Sequence, residues 1–428
     1  MSNPIVNWWR SQQFKLAVSR GDTQKAVQIL HDIQKSGARF SWLEKLFRDK
    51  LQLERASLEY KREIGNLTEK LTQLSDSAVD NCKLYPNQEL INSIYQKFQL
   101  IQHDHYLIQS TGIDVEIFDD FESKLVAYLQ DEFNKIPVDK LNIKLADAFE
   151  DIHNLKIGQD PDYNFSLTPH VYFMKFFLEN VYCLYLAWFF IYQDGLLSNK
   201  LNILDIAAGP GTVAYSLALF LKSIGESEKS SQDHISYYSL EKQDGFQFRG
   251  LQFWRKYIES LITPVNTYFR FVTADLLSSN HEFDNLPQDF FDFIVISHCF
   301  FADTSARNQA NSVYKSIFTN NLKKQGYVLL IIQDKKLFKF YKTKQEENQD
   351  LEKKLVASFI AELGLDLVWY KYLTSRDSRK PCSAMEFAKF AEEKLPKQIY
   401  MTPMIQKYSH QKHDANYTLD DYIILAKK

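Results

Sequence analysis

Leu204-Asp205-Ile206-Ala207-Ala208-Gly209-Pro210-Gly211-Thr212 sets a carboxylate at the end of an apolar run, then two closely spaced glycines, then a helical stretch starting at Thr212. A strand, a tight turn and a helix start in that order can hold a nucleoside-bearing ligand. Gly209 and Gly211 let the backbone approach the ligand and take dihedrals closed to other residues, while Pro210 stiffens the turn. Alone, such a turn is shared by several cofactor classes and by glycines placed for packing. Further strand ends narrow it. The run Ile235-Ser236-Tyr237-Tyr238-Ser239-Leu240-Glu241 ends in an acid followed by Lys242, and a carboxylate there can accept both ribose hydroxyls. Another run ends Ala274-Asp275-Leu276, where the carboxylate can take the exocyclic amine of adenine while apolar neighbours such as Leu276 pack on the ring. A fourth, Phe291 to Ser297, delivers Ser297-His298-Cys299 to the end of the sheet where ligands sit in open α/β folds, and His298 is the candidate general base.

Positioning these groups requires a sheet, and the texture after Lys200 supplies one. Short β-branched or aromatic runs alternate there with helical stretches, as in a doubly wound α/β sheet. The strand candidates are Leu201 to Ile206, Ile235 to Glu241, Thr267 to Ala274, Phe291 to Ser297, Tyr327 to Gln333, Leu365 to Leu373 and Tyr422 to Ala426. The polar segment Gly225 to Asp233 reads as a surface loop that lengthens the spacing from the glycine turn to Glu241. The first 160 residues read as an all-α domain: a hairpin over Trp8 to Leu30 broken at Gly21, and then a seven-residue apolar repeat through Leu46, Leu53, Tyr60, Leu67 and Leu74. Amphipathic helices follow from Pro86 to Asp151, broken near Gly112 and Pro137. A turn-rich stretch, Gln159 to Asn164, sets a boundary near residue 160. Val171 to Tyr192 is apolar enough to suggest a membrane span, but Lys175, Glu179 and Asn180 interrupt it, and it reads as a buried aromatic helix capping the second domain.

With these motifs in order, residues 200 to 428 resemble the class I S-adenosylmethionine-dependent methyltransferases. The resemblance implies an α/β fold with a seven-stranded Rossmann-like sheet whose last strand is antiparallel, residues 161–428 forming the cofactor domain and 375–416 an insertion. It further implies S-adenosyl-L-methionine as cofactor, held by Asp205, Ala207, Ala208, Gly209, Gly211, Thr212, Glu241, Lys242, Asp275, Leu276 and Ser297. Ala207 stands where the family pattern has its first glycine. The segment after the fourth strand is Ser297-His298-Cys299-Phe300 rather than the Asn/Asp-Pro-Pro-Tyr type of the base-amine and glutamine methyltransferases, which leaves oxygen, carbon, amine or sulfur acceptors open. In-line methyl transfer needs proximity and a desolvated pocket, with a base only when the acceptor must lose a proton.

Composition bounds the partners. A net charge of −3 over 428 residues gives no global drive toward nucleic acid or anionic membrane. Nucleic acid would have to meet a local patch such as Arg48 to Lys70, where acids are interleaved, or Lys335 to Lys342. Cys82, Cys183, Cys299 and Cys382 form no metal-binding spacing, so no metal is expected, and a reducing cytoplasm fits them. Three readings follow: a methyltransferase for a small-molecule acceptor, one for RNA or protein, or a scaffold keeping the fold, with the N-terminal helices as the surface for a homodimer or protein partner.

Overall fold

The structure is a computed structural model that describes residues 4–19, 22–36, 83–154, 161–227, 234–261, 265–277, 286–301, 303–409 and 414–428. It divides into two compact units, Met1–Asn81 and Cys82–Lys428. In the first, helices Pro4–Ser19 and Thr23–Lys35 form the expected hairpin. Phe14, Ala17, Ala26, Ile29, Leu30 and Ile33 bury against each other, and the Asp22 carboxylate caps the second helix by accepting the Lys25 N–H. The seven-residue repeat lies outside the described residues.

The second unit is built on a nine-stranded mixed sheet. Its strands are β1 (Leu100–Gln102), β2 (Leu107–Ser110), β3 (Lys200–Ile206), β4 (His234–Glu241), β5 (Asn266–Thr273), β6 (Phe291–Ser297), β7 (Leu322–Gln333), β8 (Asp366–Thr374) and β9 (Asp420–Lys427), in the order β1-β2-β8-β9-β7-β6-β3-β4-β5. β3 to β7 run parallel, and β9 enters antiparallel between β7 and β8, as the resemblance implied. Both faces are covered. Ile203, Phe293 and Val295 point into one core, Leu204, Ile206, Ile294 and Ile296 into the other, which is the period-two alternation of central strands.

Two expectations need correction. The sheet has nine strands rather than seven, and residues 82–160 are not part of a separate all-α domain: β1 and β2 fall within the stretch read as helices and join the sheet, β2 lying parallel to β8. The boundary therefore falls at Asn81/Cys82, not near residue 160. The pair is too short for a period-two signal, and it is held by tertiary contacts instead. The Asp104 carboxylate accepts the N–H groups of Tyr106 and Leu107 at 2.7 Å each, forming the turn. Arg379 then bridges Asp104 to the buried Glu352.

The aromatic helix spans Thr168–Gln193, with one π-helical turn at Phe173–Phe177. It is long and apolar enough to cross a membrane by composition, yet it packs inside the protein against helix Thr212–Ser227. Its polar tips are satisfied there: Trp188 Nε1 donates to Ser216 Oγ at 3.2 Å, and the Tyr185 and Ser223 hydroxyls lie 2.8 Å apart. The insertion 375–416 carries helices Ala384–Lys394 and Met401–Ser409. The latter is tied to helix Val115–Phe133 through the buried Glu122, whose carboxylate accepts the N–H groups of Tyr400 and Met401 and the Tyr417 hydroxyl.

Candidate functional site

β3 ends at the point where the sheet order reverses, with β4 on one side and β6 on the other, so a crevice opens between connections leaving in opposite directions. The chain turns there through three left-handed residues, Ala207 (φ 56°), Gly209 (φ 53°) and Gly211 (φ 85°). Ala207 thus sits in a region that favours glycine, at a cost of about 1 kcal/mol for its Cβ. The turn is fastened by Ala208 N–H to the Leu240 carbonyl at 3.1 Å and Gly211 N–H to the Ala208 carbonyl at 2.9 Å. A Cβ placed on Gly209 would meet no atom, so open space lies over the turn. Beneath it the fit is tight: a Cβ on Gly250 would come within 2.2 Å of the Pro210 carbonyl oxygen, so helix Asp244–Tyr257 can support the turn only through a glycine.

Acids converge on this turn. Glu241, at the end of β4, accepts the Gly209 N–H at 2.8 Å and the Gln243 N–H at 3.0 Å. Burial pushes its pKa up against those bonds. Asp205 is 1% exposed and accepts a short hydrogen bond from the Tyr237 hydroxyl. Burial raises its pKa to about 8; the Tyr237 hydrogen bond opposes the rise and the Glu241 charge adds to it. Asp275 lies beside them, since the Ala274 N–H bonds the Glu241 carbonyl at 3.0 Å. Burial works to raise the pKa of its carboxylate, but the Leu277 N–H it accepts and Lys242, paired at 2.9 Å, hold it below the usual value. Thr212 starts the following helix, and Leu276 is buried in the turn after β5.

On the other side, Ser297 ends β6 next to Ala207, and His298 follows with a left-handed backbone, φ 61°. The His298 N–H bonds the Ile331 carbonyl at 2.9 Å. Its ring joins two groups: Nδ1 lies 2.9 Å from Ser297 Oγ and Nε2 3.0 Å from Asp421 Oδ1. All twelve residues expected from the sequence are thus brought to one edge of the sheet.

Four residues at this edge were not anticipated. Tyr237 and Gly250 gave no signal beyond their element types. Asp421 sits in the Asp420-Asp421 doublet opening β9, opposite Gln333 of β7, which carries it to the carboxyl edge. Tyr172 was one member of the aromatic run, and it reaches the turn: its hydroxyl accepts from Asn180 Nδ2 at 3.0 Å, bonds Thr212 and faces Asp205 and Glu241. Phe176, one turn on, lines a cleft of about 790 Å³ with Phe149, Tyr408, Lys175 and Lys407. Phe173, Phe177, Tyr182, Tyr185, Trp188 and Phe189 are core. Among the described residues no cluster of His, Cys, Asp and Glu could hold a metal ion.

No protein-family profile matches the chain, nor does any curated protein sequence. Among solved structures it is similar to a SAM-dependent methyltransferase from Methanosarcina mazei (13% identity over 55% of this chain and 96% of that one, TM-score 0.30). It is also similar to a chain of a fibrillarin/Nop5p complex (12% identity, 54% and 74% covered, TM-score 0.29). A third likeness is to a chain of the complex between the Haloferax volcanii Trm112 methyltransferase activator and a putative methyltransferase (10% identity, 53% and 82% covered, TM-score 0.28). Likenesses this distant do not identify the chain, and its function has to be read from its own residues.

Proposed function

We propose that the chain is an S-adenosylmethionine-dependent methyltransferase acting on a small-molecule acceptor. One observation carries the reading: Glu241 closes onto the Gly209 N–H of a left-handed glycine turn with open space above it. A dinucleotide needs such N–H groups for its anionic diphosphate. Here the donor is already engaged by the Glu241 carboxylate, and burial raises the pKa of both Asp205 and Glu241, so a positive charge placed beside them is favoured. A nucleoside bearing positive charge fits that field, whereas a diphosphate opposes it.

The residues divide the work by position. Glu241 would hold the ribose hydroxyls, Asp275 and Leu276 the adenine, and the turn from Ala207 to Thr212 the backbone of the ligand, with Asp205 and Tyr172 on the side of the positive end. S-adenosylmethionine supplies, when bound, a methyl group on a cationic sulfur. What the protein contributes is alignment and exclusion of water, with Ser297 and His298 at the acceptor side. A small acceptor is favoured by the state of the Lys335 to Lys342 segment: Leu337, Phe338 and Phe340 are buried and Tyr341 is half-buried, so no exposed stacking platform accompanies its cations. The basic segment Arg48 to Lys70 lies outside the described residues.

Calorimetry with S-adenosylmethionine and S-adenosylhomocysteine tests the reading, and absence of binding to both would end it. Glu241→Ala should weaken binding by about 1.5–3 kcal/mol, the worth of hydrogen bonds to a charged group.

A further inference from the structure

We propose that Ser297, His298 and Asp421 form a proton relay and that the acceptor is a hydroxyl compound, an inference that rests on the methyltransferase reading. The three side chains make one continuous hydrogen-bonded chain, 2.9 Å from Ser297 Oγ to His298 Nδ1 and 3.0 Å from His298 Nε2 to Asp421 Oδ1. In the arrangement the relay uses, the Nε2–H donates to the Asp421 carboxylate, which only accepts, and Nδ1 accepts from the Ser297 hydroxyl. The Cys183 thiol, pushed far up by burial and by Asp421 itself, also donates to that carboxylate, as does the Asp420 N–H at 3.4 Å. Asp421 comes from the far end of the chain and is held in register by the β7–β9 pairing.

The backbone supports the same conclusion. His298 sits at φ 61°, a region that non-glycine residues rarely occupy and that persists where the surroundings fix it. The fixing bond is its N–H to the Ile331 carbonyl. This dihedral turns the chain at the end of β6, where Ser297 follows the residue paired with Ile206, just before Ala207. Both ring nitrogens are engaged, so a proton enters through the serine oxygen.

The step balances as follows. The acceptor oxygen forms a bond to the methyl carbon while the carbon–sulfur bond breaks and its electron pair stays on sulfur. The acceptor's proton passes to Ser297 Oγ as the serine's own proton moves to His298 Nδ1. The resulting imidazolium keeps its Nε2–H on the Asp421 carboxylate and later releases one proton to water. Amine and thiol acceptors need no such relay at the moment of transfer, whereas a hydroxyl does. Asp421 acts through His298 and is a positioning residue.

Two measurements on the full chain test this. Long-range proton–nitrogen NMR of histidine-labelled protein, with His298→Gln for assignment, should show His298 as the Nε2–H tautomer. Asp421→Ala should give mixed tautomers and Asp421→Glu should restore the single one, with the volume-conserving Asp421→Asn as the substitute if the alanine variant does not fold. Methyl-labelled S-adenosylmethionine offered with catechol, 4-hydroxybenzoate, aniline or thiophenol should label the hydroxyl probes. Ser297→Ala and His298→Gln should each lower kcat by about 10²-fold or more, with KM for the donor within a factor of about two in His298→Gln. The proposal is overturned by an Nδ1–H tautomer in the unmodified protein, by wild-type kcat in His298→Gln, or by a protein that binds the donor yet labels no hydroxyl probe. A protein that binds no donor instead defeats the methyltransferase reading, and the tautomer measurement still decides whether the relay is built.

Discussion

Replacing Asp205 by asparagine should change how stability depends on pH. Burial raises the Asp205 pKa from 3.8 to about 8, so between those values the unfolded chain has lost its proton while the folded one keeps it. The folded state then binds more protons, and stability falls as pH rises, by about 1.4 kcal/mol per pH unit, until it levels above pH 8. From pH 5 to pH 7 this single group should cost about 3 kcal/mol, a large fraction of a typical domain's stability. Asparagine keeps the acceptor for the Tyr237 hydroxyl and has nothing to ionise, so the variant lacks this slope. Urea unfolding of both proteins at pH 5, 6, 7 and 8 should show curves that diverge with pH, the variant gaining on the parent. Curves that stay parallel would falsify the account of Asp205 as a carboxyl held against its ionisation. A cationic ligand favours the ionised form, so S-adenosylmethionine should bind more tightly as pH rises toward 8, with S-adenosylhomocysteine responding less.

Other substitutions follow from the geometry. Ala207→Gly should stabilise by up to about 1 kcal/mol, read as a higher urea midpoint, because it removes the Cβ from a left-handed residue, offset in part by the looser unfolded chain. Gly250→Ala should displace Pro210 and weaken cofactor binding in calorimetry by at least about tenfold, the equivalent of 1.4 kcal/mol, because its Cβ would lie 2.2 Å from the Pro210 oxygen. Arg379→Ala should lower stability by about 3 kcal/mol in urea titration, since it removes the cation paired with Glu352, which is 1% exposed and keeps the Tyr370 and Tyr422 hydroxyls as donors. Cys183 should resist iodoacetamide in the folded protein and react after unfolding, being buried and with its thiol pKa raised.

The chemistry-bearing end of the sheet was legible because each of its groups is local to a strand end. Asp205, Glu241, Asp275 and Ser297 each close an apolar run, and a run plus its terminal polar residue is a signal a single stretch of sequence carries. Tyr172 and Asp421 were not legible as site residues because tertiary packing brings them there, one on a helix that reads as core throughout, the other on a strand antiparallel to the rest. The hairpin β1–β2 escaped for a related reason. Leu100-Ile101-Gln102 and Leu107-Ile108-Gln109-Ser110 are strands because Tyr372 donates its N–H to the Tyr106 carbonyl and Arg379 grips Asp104, and neither partner is near in sequence. Propensity within such short segments is overruled by the edge they join.

That edge also bears on how the chain comes into being. Gln109 bonds the carbonyl of Ser375, 266 residues downstream, and β2 takes its register from β8. During synthesis at about 5–20 residues per second, the hairpin would wait on the order of tens of seconds for the strand it pairs with. Through that interval helix Val115–Phe133 and the aromatic helix also lack most of the sheet they will cover. Contacts this distant in sequence make for slow folding. Until β8 is made, the nascent polypeptide therefore leaves the edge of β2 unpaired.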